Sequence, residues 1–163
     1  MKILLSGASG QLGQELLPGL QALGEVTRVD RTIEGRDRQS FEQDLGDLNR
    51  TETLLNRLHP DLVVNAAAYT AVDRAEEDYV TAFRINADLP GCLARWSQRN
   101  ERMLVHYSTD YVFSGEAREP YREEDPTGPL NTYGESKRAG EWQVAASGCR
   151  HLLLRTSWVY SGH

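Results

Sequence analysis

Tyr133 and Lys137 stand four residues apart in the run Tyr133-Gly-Glu-Ser-Lys137, a spacing that sets a phenol and an ammonium one turn apart on the same helix face. A free phenol titrates near ~10, so at neutral pH it is a poor base unless a neighbouring cation favours its anion, and Lys137 supplies that charge. Thr109, in Ser108-Thr-Asp-Tyr-Val-Phe113, follows an apolar run that reads as a strand. It would bring a hydroxyl to the same point and orient a carbonyl oxygen beside Tyr133. Taken alone, a Tyr-x-x-x-Lys pattern usually marks an exposed helix surface. It gains meaning here from Thr109 and from a second motif at the start of the chain.

That motif is Gly7-Ala-Ser-Gly10-Gln-Leu-Gly13, placed between a short apolar run and a segment with leucines at helical spacing. Gly7 lets the chain turn sharply, Gly10 lets backbone approach a pyrophosphate, and Gly13 lets the helix pack close to the strand. The helix N-terminus then faces the anion. Asp30 closes the next strand about 20 residues after the turn, where a carboxylate would accept hydrogen bonds from the adenine ribose and favour NAD. Arg31 beside it would instead pair with a 2′-phosphate. The choice between NADPH and NADH therefore stays open, as does the plainer reading of both residues as a solvated strand end. Asp44 and Leu45 are placed to touch the adenine by hydrogen bond and packing, with a purely structural role equally open.

The elements that must hold these residues alternate. Lys2 to Ser6 reads as a strand, and Leu12, Leu16, Leu17 and Leu20 mark a helix up to Gly24. Glu25 to Asp30 follows as a second strand, with a polar loop from Arg31 to Ser40. A helix through Leu48, Leu54, Leu55 and Leu58 stops at His59-Pro60. A continuous apolar strand then covers Asp61 to Ala66, as in sheets buried on both faces. A helical stretch from about Glu76 to Gln98, interrupted near Pro90, leads to the strand Met103 to Ser108. Ser114 to Asn131 is a long loop beside a strand end. Asn131 or Thr132 caps the helix carrying Tyr133 to Ala146, and His151 to Thr156 is a fifth strand. This order predicts an α/β fold: a doubly wound parallel sheet, the Rossmann arrangement, with ligands beyond the carboxyl ends of its strands.

Composition narrows the functions. At 163 residues one domain is expected, and 39% hydrophobic with 26% charged residues is ordinary for a globular chain. A net charge of −6 argues against nucleic acid as a partner. Cys92 and Cys149 are far apart with no CxxC pair, and His59, His106, His151 and His163 share no ligand spacing, so no metal site and no disulfide framework are predicted. The apolar run after Met1 ends at Ser6-Gly7, well short of a secretory signal, and no stretch would span a membrane. A soluble cytoplasmic protein is the expectation.

The stretches LLSGASGQLGQEL, VVNAAAYTAVDRAE, HYSTDYVFSG, PLNTYGESKRAGE and LLRTSWVYSG together make the chain resemble the extended short-chain dehydrogenases, most closely their dTDP-4-dehydrorhamnose reductase branch, over its whole length. The resemblance implies that Gly7, Gly10, Gln11, Leu12 and Gly13 hold the cofactor's pyrophosphate, with Asp30, Asp44 and Leu45 around the adenosine. It implies that Ala66, Ala67, Ala68, Tyr69 and Thr70 line its middle, with Tyr107 near the nicotinamide ribose. Thr109, Tyr133 and Lys137 match the catalytic trio, and Lys137 would also bond the nicotinamide ribose. Asp110 and Trp158 match positions that meet a dTDP-sugar substrate. The implied reaction is reduction of the C4 keto group of dTDP-4-dehydro-β-L-rhamnose. Asn86 matches a helix asparagine and is read as structural. Glu15 matches a position that contributes to a divalent-metal contact in some members, but no metal is predicted. The family's substrate domain and last strands lie beyond residue 163, so these residues alone are expected to turn over weakly or not at all; whether the whole protein forms a homodimer is left open. Two alternatives remain: another nucleotide-sugar reductase, epimerase or dehydratase, and a noncatalytic NADP-binding regulator such as the related subunit of methionine adenosyltransferase.

Overall fold

The computed structural model describes residues 1–161. Six strands, β1 (Lys2–Ser6), β2 (Glu25–Asp30), β3 (Ser40–Glu42), β4 (Leu62–Asn65), β5 (Met103–Thr109) and β6 (Arg150–Thr156), form one sheet in the order β3-β2-β1-β4-β5-β6. Every pairing is parallel. The strand order reverses about β1, the switch point at which sheets of this kind open a crevice. The doubly wound Rossmann arrangement predicted from the alternation is what the chain adopts.

Helix α1 (Gln11–Leu23) covers one face, packing Leu16, Leu17 and Leu20 on Ile3, Leu5, Val26 and Val64. Helices α2 (Leu48–Leu58), α5 (Leu89–Arg99) and α6 (Thr132–Ala146) cover the other. There Leu54, Leu55, Leu93, Trp96 and Val144 close over Leu4, Val63 and Leu104. Trp96 is fully buried and satisfies its indole N–H on Asn56 Oδ1 at 2.8 Å, so the largest core side chain leaves no polar atom orphaned. The short helices α3 (Val72–Ala75) and α4 (Tyr79–Phe83) lead from β4 toward α5.

Two features depart from the sequence reading. β3 begins at Ser40 and pairs with β2 through Ser40, Phe41 and Glu42; three residues with one aromatic give too short a pattern to separate from the preceding polar loop. The helical stretch interrupted near Pro90 is resolved into α4, a π turn over Arg84–Asp88 and α5, with the Leu89 N–H donating to the Arg84 carbonyl. Proline at the second position of α5 has no N–H to give an α-helical bond, and the wider turn takes up the mismatch. Asn131, rather than Thr132, caps α6: its Oδ1 accepts from the Gly134 N–H at 2.7 Å. Thr132 instead donates its N–H and hydroxyl to Glu76, at 2.8 and 2.7 Å.

Candidate active site

β1 ends in a turn that only glycine can make. Gly7 has φ 73°, and a Cβ there would lie 2.4 Å from the Ala67 nitrogen; a Cβ on Gly13 would lie 2.1 Å from the Gly7 carbonyl oxygen. Gly10 differs, since a Cβ would meet only the Gly7 oxygen at 3.4 Å. The fold itself makes no demand for glycine at that position, and its exposed face opens on the cleft. The first bond of α1 runs from the Gln14 N–H to the Gly10 carbonyl at 3.0 Å. The N–H groups of Gln11, Leu12 and Gly13 are therefore left without intrahelical partners at the positive end of the helix. An open backbone at Gly10 over unpaired N–H groups is a fit for a pyrophosphate.

Asp30 braces this turn. Its Oδ2 accepts from the Ser9 N–H at 2.9 Å and its Oδ1 from the Arg31 N–H at 2.7 Å. Each carboxylate oxygen keeps a further lone pair for a ligand hydroxyl. The Arg31 guanidinium is exposed and makes no ion pair among the described residues. Asp44 accepts the Gly46 N–H at 2.9 Å, and Leu45 is buried in the core beside the cleft.

The segment Ala66–Thr70 follows β4 along the middle of the same cleft, which has a volume of about 1090 Å³. Asn86, from the π turn, fixes it: Oδ1 accepts from the Tyr69 N–H at 2.9 Å, while Nδ2 donates to the Tyr69 carbonyl and to Ser136 Oγ, both at 3.0 Å. With its amide fully engaged and buried, Asn86 has the structural place the sequence reading gave it.

At the far end stand Thr109, Tyr133 and Lys137. Lys137 is 2% exposed and donates from Nζ to the Tyr107 carbonyl at 2.7 Å. Burial lowers its pKa to about 8, with the Glu141 charge opposing. Burial raises the Tyr133 phenol above its ordinary value. The Thr109 hydroxyl beside that phenol pulls it the other way, and the Asp110 charge adds to the rise. Thr109 Oγ1 also accepts from the Tyr111 N–H at 3.2 Å and donates to Asp110 Oδ1 at 3.1 Å. The sequence-predicted trio is thus brought to one place, with Tyr107 and Asp110 beside it.

Trp158 borders the cleft but is 76% exposed, in the left-handed region at φ 48°. Its neighbours hold the segment down: Ser157 Oγ donates to Asp110 Oδ2 at 2.7 Å, and the Val159 carbonyl accepts from Gln11 Nε2 at 3.0 Å. A strand-end segment therefore reaches from Asp110 back to Gln11 at the start of α1.

Beneath the trio lies a polar row that the sequence reading did not foresee. Ser6, Asn65 and His106 are in register across β1, β4 and β5. Ser6 Oγ donates to Asn65 Oδ1 at 2.7 Å, and Asn65 Nδ2 lies 3.1 Å from His106 Nδ1. Because the Asn65 oxygen already accepts from Ser6, its amide nitrogen must donate, which makes Nδ1 the acceptor and puts the proton on Nε2. Burial, and then the Lys137 charge, hold His106 well below its ordinary pKa, so it is a neutral imidazole. Also missed on the cleft wall were Ser9, Val72 and Arg74, which lie inside the quoted motifs but were given no role, and Thr32, Asp78, Thr81, Arg84 and Ile85, which only their place in the fold brings there. Among the described residues no group of His, Cys, Asp or Glu is arranged to hold a metal ion, and His163 lies outside them.

The sequence model of the RmlD substrate binding domain family matches residues 1–163. The chain belongs to this family. Against curated relatives, the RmlD-family chain is 47% identical to a dTDP-4-dehydrorhamnose reductase of Burkholderia thailandensis, over 99% of the chain and 51% of that protein. It is 41% identical to one of Escherichia coli, over 99% and 52%. It thus spans about half the length of the curated relatives it matches. Among solved structures, a dTDP-4-dehydrorhamnose reductase of Clostridium acetobutylicum superimposes with a TM-score of 0.90 at 38% identity, over 100% of the chain and 55% of the other. One from Bacillus anthracis in complex with NADP gives 0.87 at 33%, over 98% and 54%.

Proposed function

We propose that the chain is the NAD(P)-binding domain of an NADPH- or NADH-dependent reductase converting dTDP-4-dehydro-β-L-rhamnose to dTDP-L-rhamnose. The observation that carries the reading is the convergence of Thr109, Tyr133 and Lys137 at one end of a cleft whose other end is the open N-terminus of α1. Relatives named for this reaction, at 40 to 47% identity, supply the substrate.

The residues divide the work. Gly10, Gln11, Leu12 and Gly13 hold the pyrophosphate, Asp30, Asp44 and Leu45 the adenosine, Ala66–Thr70 the middle of the cofactor, and Tyr107 and Lys137 the nicotinamide ribose. Held there, a nicotinamide cofactor would supply the hydride for reduction at C4 of the sugar. Tyr133, kept protonated at neutral pH by its burial, gives its proton to the keto oxygen as negative charge grows there. Thr109 holds that oxygen within reach of the phenol, and Lys137 stabilises the phenolate left behind. Asp110 and Trp158 meet the sugar nucleotide. Turnover falls as pH rises through the Lys137 value of about 8, because the cation that favours phenolate is lost. The reaction runs in the cytoplasm on a soluble dTDP-sugar; no helix among the described residues is long and apolar enough to cross a membrane.

In the longer protein, Tyr133→Phe lowers NADPH oxidation with dTDP-4-dehydrorhamnose by roughly 10²- to 10⁴-fold while cofactor binding persists. Unchanged turnover removes Tyr133 from its role. No binding of NADPH or NADH by either the chain or the longer protein overturns the whole reading. Arg31→Ala weakens NADPH more than NADH if the unpaired guanidinium reads the 2′-phosphate, and equal losses refute that. The retained trio speaks against a noncatalytic regulator.

A further inference from the structure

Glu141 lies four residues beyond Lys137 on the same helix, so the two side chains share a face one turn apart. It is 8% exposed, an unusual place for a carboxylate. Arg155, at the end of β6, meets it in a two-pronged pair: Nε donates to Oε1 at 2.9 Å and Nη2 to Oε2 at 2.8 Å. The same guanidinium donates from Nη1 to the Glu123 carbonyl at 3.0 Å and lies over the Phe113 ring, 4.9 Å from its centroid. Phe113 in turn stacks on Tyr121 at 4.3 Å. One ion pair therefore ties together the catalytic helix, the last strand and the long loop beside the cleft.

The other groups packed around Lys137 leave Glu141 as the anion that acts on it. From β5 come the neutral His106 and the Tyr107 carbonyl; from the same helix, Tyr133; from the π turn, the amide of Asn86. Asp88 and Arg95 are engaged with Gln143 further along α6, and Glu76 is held at Thr132 at its start.

We propose that Glu141 and Arg155 are positioning residues that set the charge state of Lys137, Glu141 supplying the counter-charge and Arg155 moderating it. The idea rests on Lys137 being the catalytic lysine, but its physics does not. An anion one turn away favours the ammonium of a lysine taken out of water. A guanidinium bonded to both oxygens of that anion offsets part of its field at Lys137. The two residues thus act on Lys137 with opposite sign, which simple structural support would not do. Through Phe113 and the Glu123 carbonyl, the seating of the loop is joined to the same balance.

These 163 residues contain two lysines, Lys2 and Lys137, so this chain grown with [13Cε]lysine gives two resonances, exposed Lys2 serving as the internal reference. A pH titration of the native protein places Lys137 near 8. Glu141→Gln moves its midpoint down by about one pH unit, Arg155→Gln moves it up, and Arg155→Lys returns it to near the native value. An unmoved midpoint in Glu141→Gln overturns the proposal, as does a shift of Glu141→Gln and Arg155→Gln in the same direction. If Arg155→Gln fails to fold, Glu141→Gln and Arg155→Lys decide the matter. No substrate is needed, so failure of the reductase reading in a turnover assay is a separate result.

Discussion

The two ends of the cleft are built from different materials. At the β1–α1 turn the backbone does the work: Gly7 and Gly13 remove side chains where a Cβ would strike main-chain atoms, and the first N–H groups of α1 stay unpaired. At the β5–α6 end the work falls to buried polar side chains, with Lys137, Glu141, His106, Ser136 and Asn86 all sheltered from water. The first end is constrained mainly by shape, with the Asp30 carboxylate as its brace. The second is constrained by charge and hydrogen bonding, where an unpartnered polar group costs about 1–3 kcal/mol. A binding surface for a phosphate can be made from chain geometry alone, whereas a proton-transfer site needs groups whose ionisation is tuned by what surrounds them.

Substitutions separate the two. Gly13→Ala is expected to have the largest effect on stability, destabilising by more than about 2 kcal/mol in denaturant unfolding, because its Cβ meets main-chain atoms that cannot move aside. A smaller and opposite effect is expected at the charged end. Lys137→Met stabilises the fold at pH 7 by roughly 1–3 kcal/mol, since an ammonium is no longer taken out of water, while abolishing turnover. In the native protein the Lys137 pKa lies below its unfolded value, so its contribution makes stability rise between pH 8 and 10.5. That rise should vanish in the methionine variant. His106 contributes with the same sign in a lower pH window. Its native pKa is depressed below 6.5, so stability is lost as pH falls below that value, and His106→Asn should flatten the loss. Gly10→Ala is expected to be the mildest in folding, changing stability by less than about 1 kcal/mol yet weakening NADPH binding. Equal folding losses for Gly10→Ala and Gly13→Ala would erase the distinction between fold-required and ligand-required glycines.

The same contrast governs how much could be read from the sequence. The alternation of apolar runs and leucine periods exposed five of the strands and the sheet type, because burial of regular elements writes a period into the chain. The glycine turn and the Tyr133–Lys137 pair were legible because their chemistry fixes local spacing. β3 was not, being three residues at a sheet edge. The Ser6–Asn65–His106 row was hidden because its members are joined by strand register across 59 and 41 residues of separation. Glu141 carried a faint signal, a carboxylate on the face of α6 shared with Lys137; Arg155 had none, since only the docking of β6 beside β5 brings it there.

The π turn at Arg84–Asp88 acts as a phase-setter. Each residue of an α-helix advances its side chain by about 100° around the axis, so one residue removed from that turn would leave Leu89 to Arg99 facing the sheet but rotate Asn86 away from Tyr69 and Ser136. The core would survive the deletion while the wall of the cleft lost its clamp. Alignment of core and site along this one helical stretch is held by a single extra residue, and a deletion there would uncouple folding from function more cleanly than most substitutions.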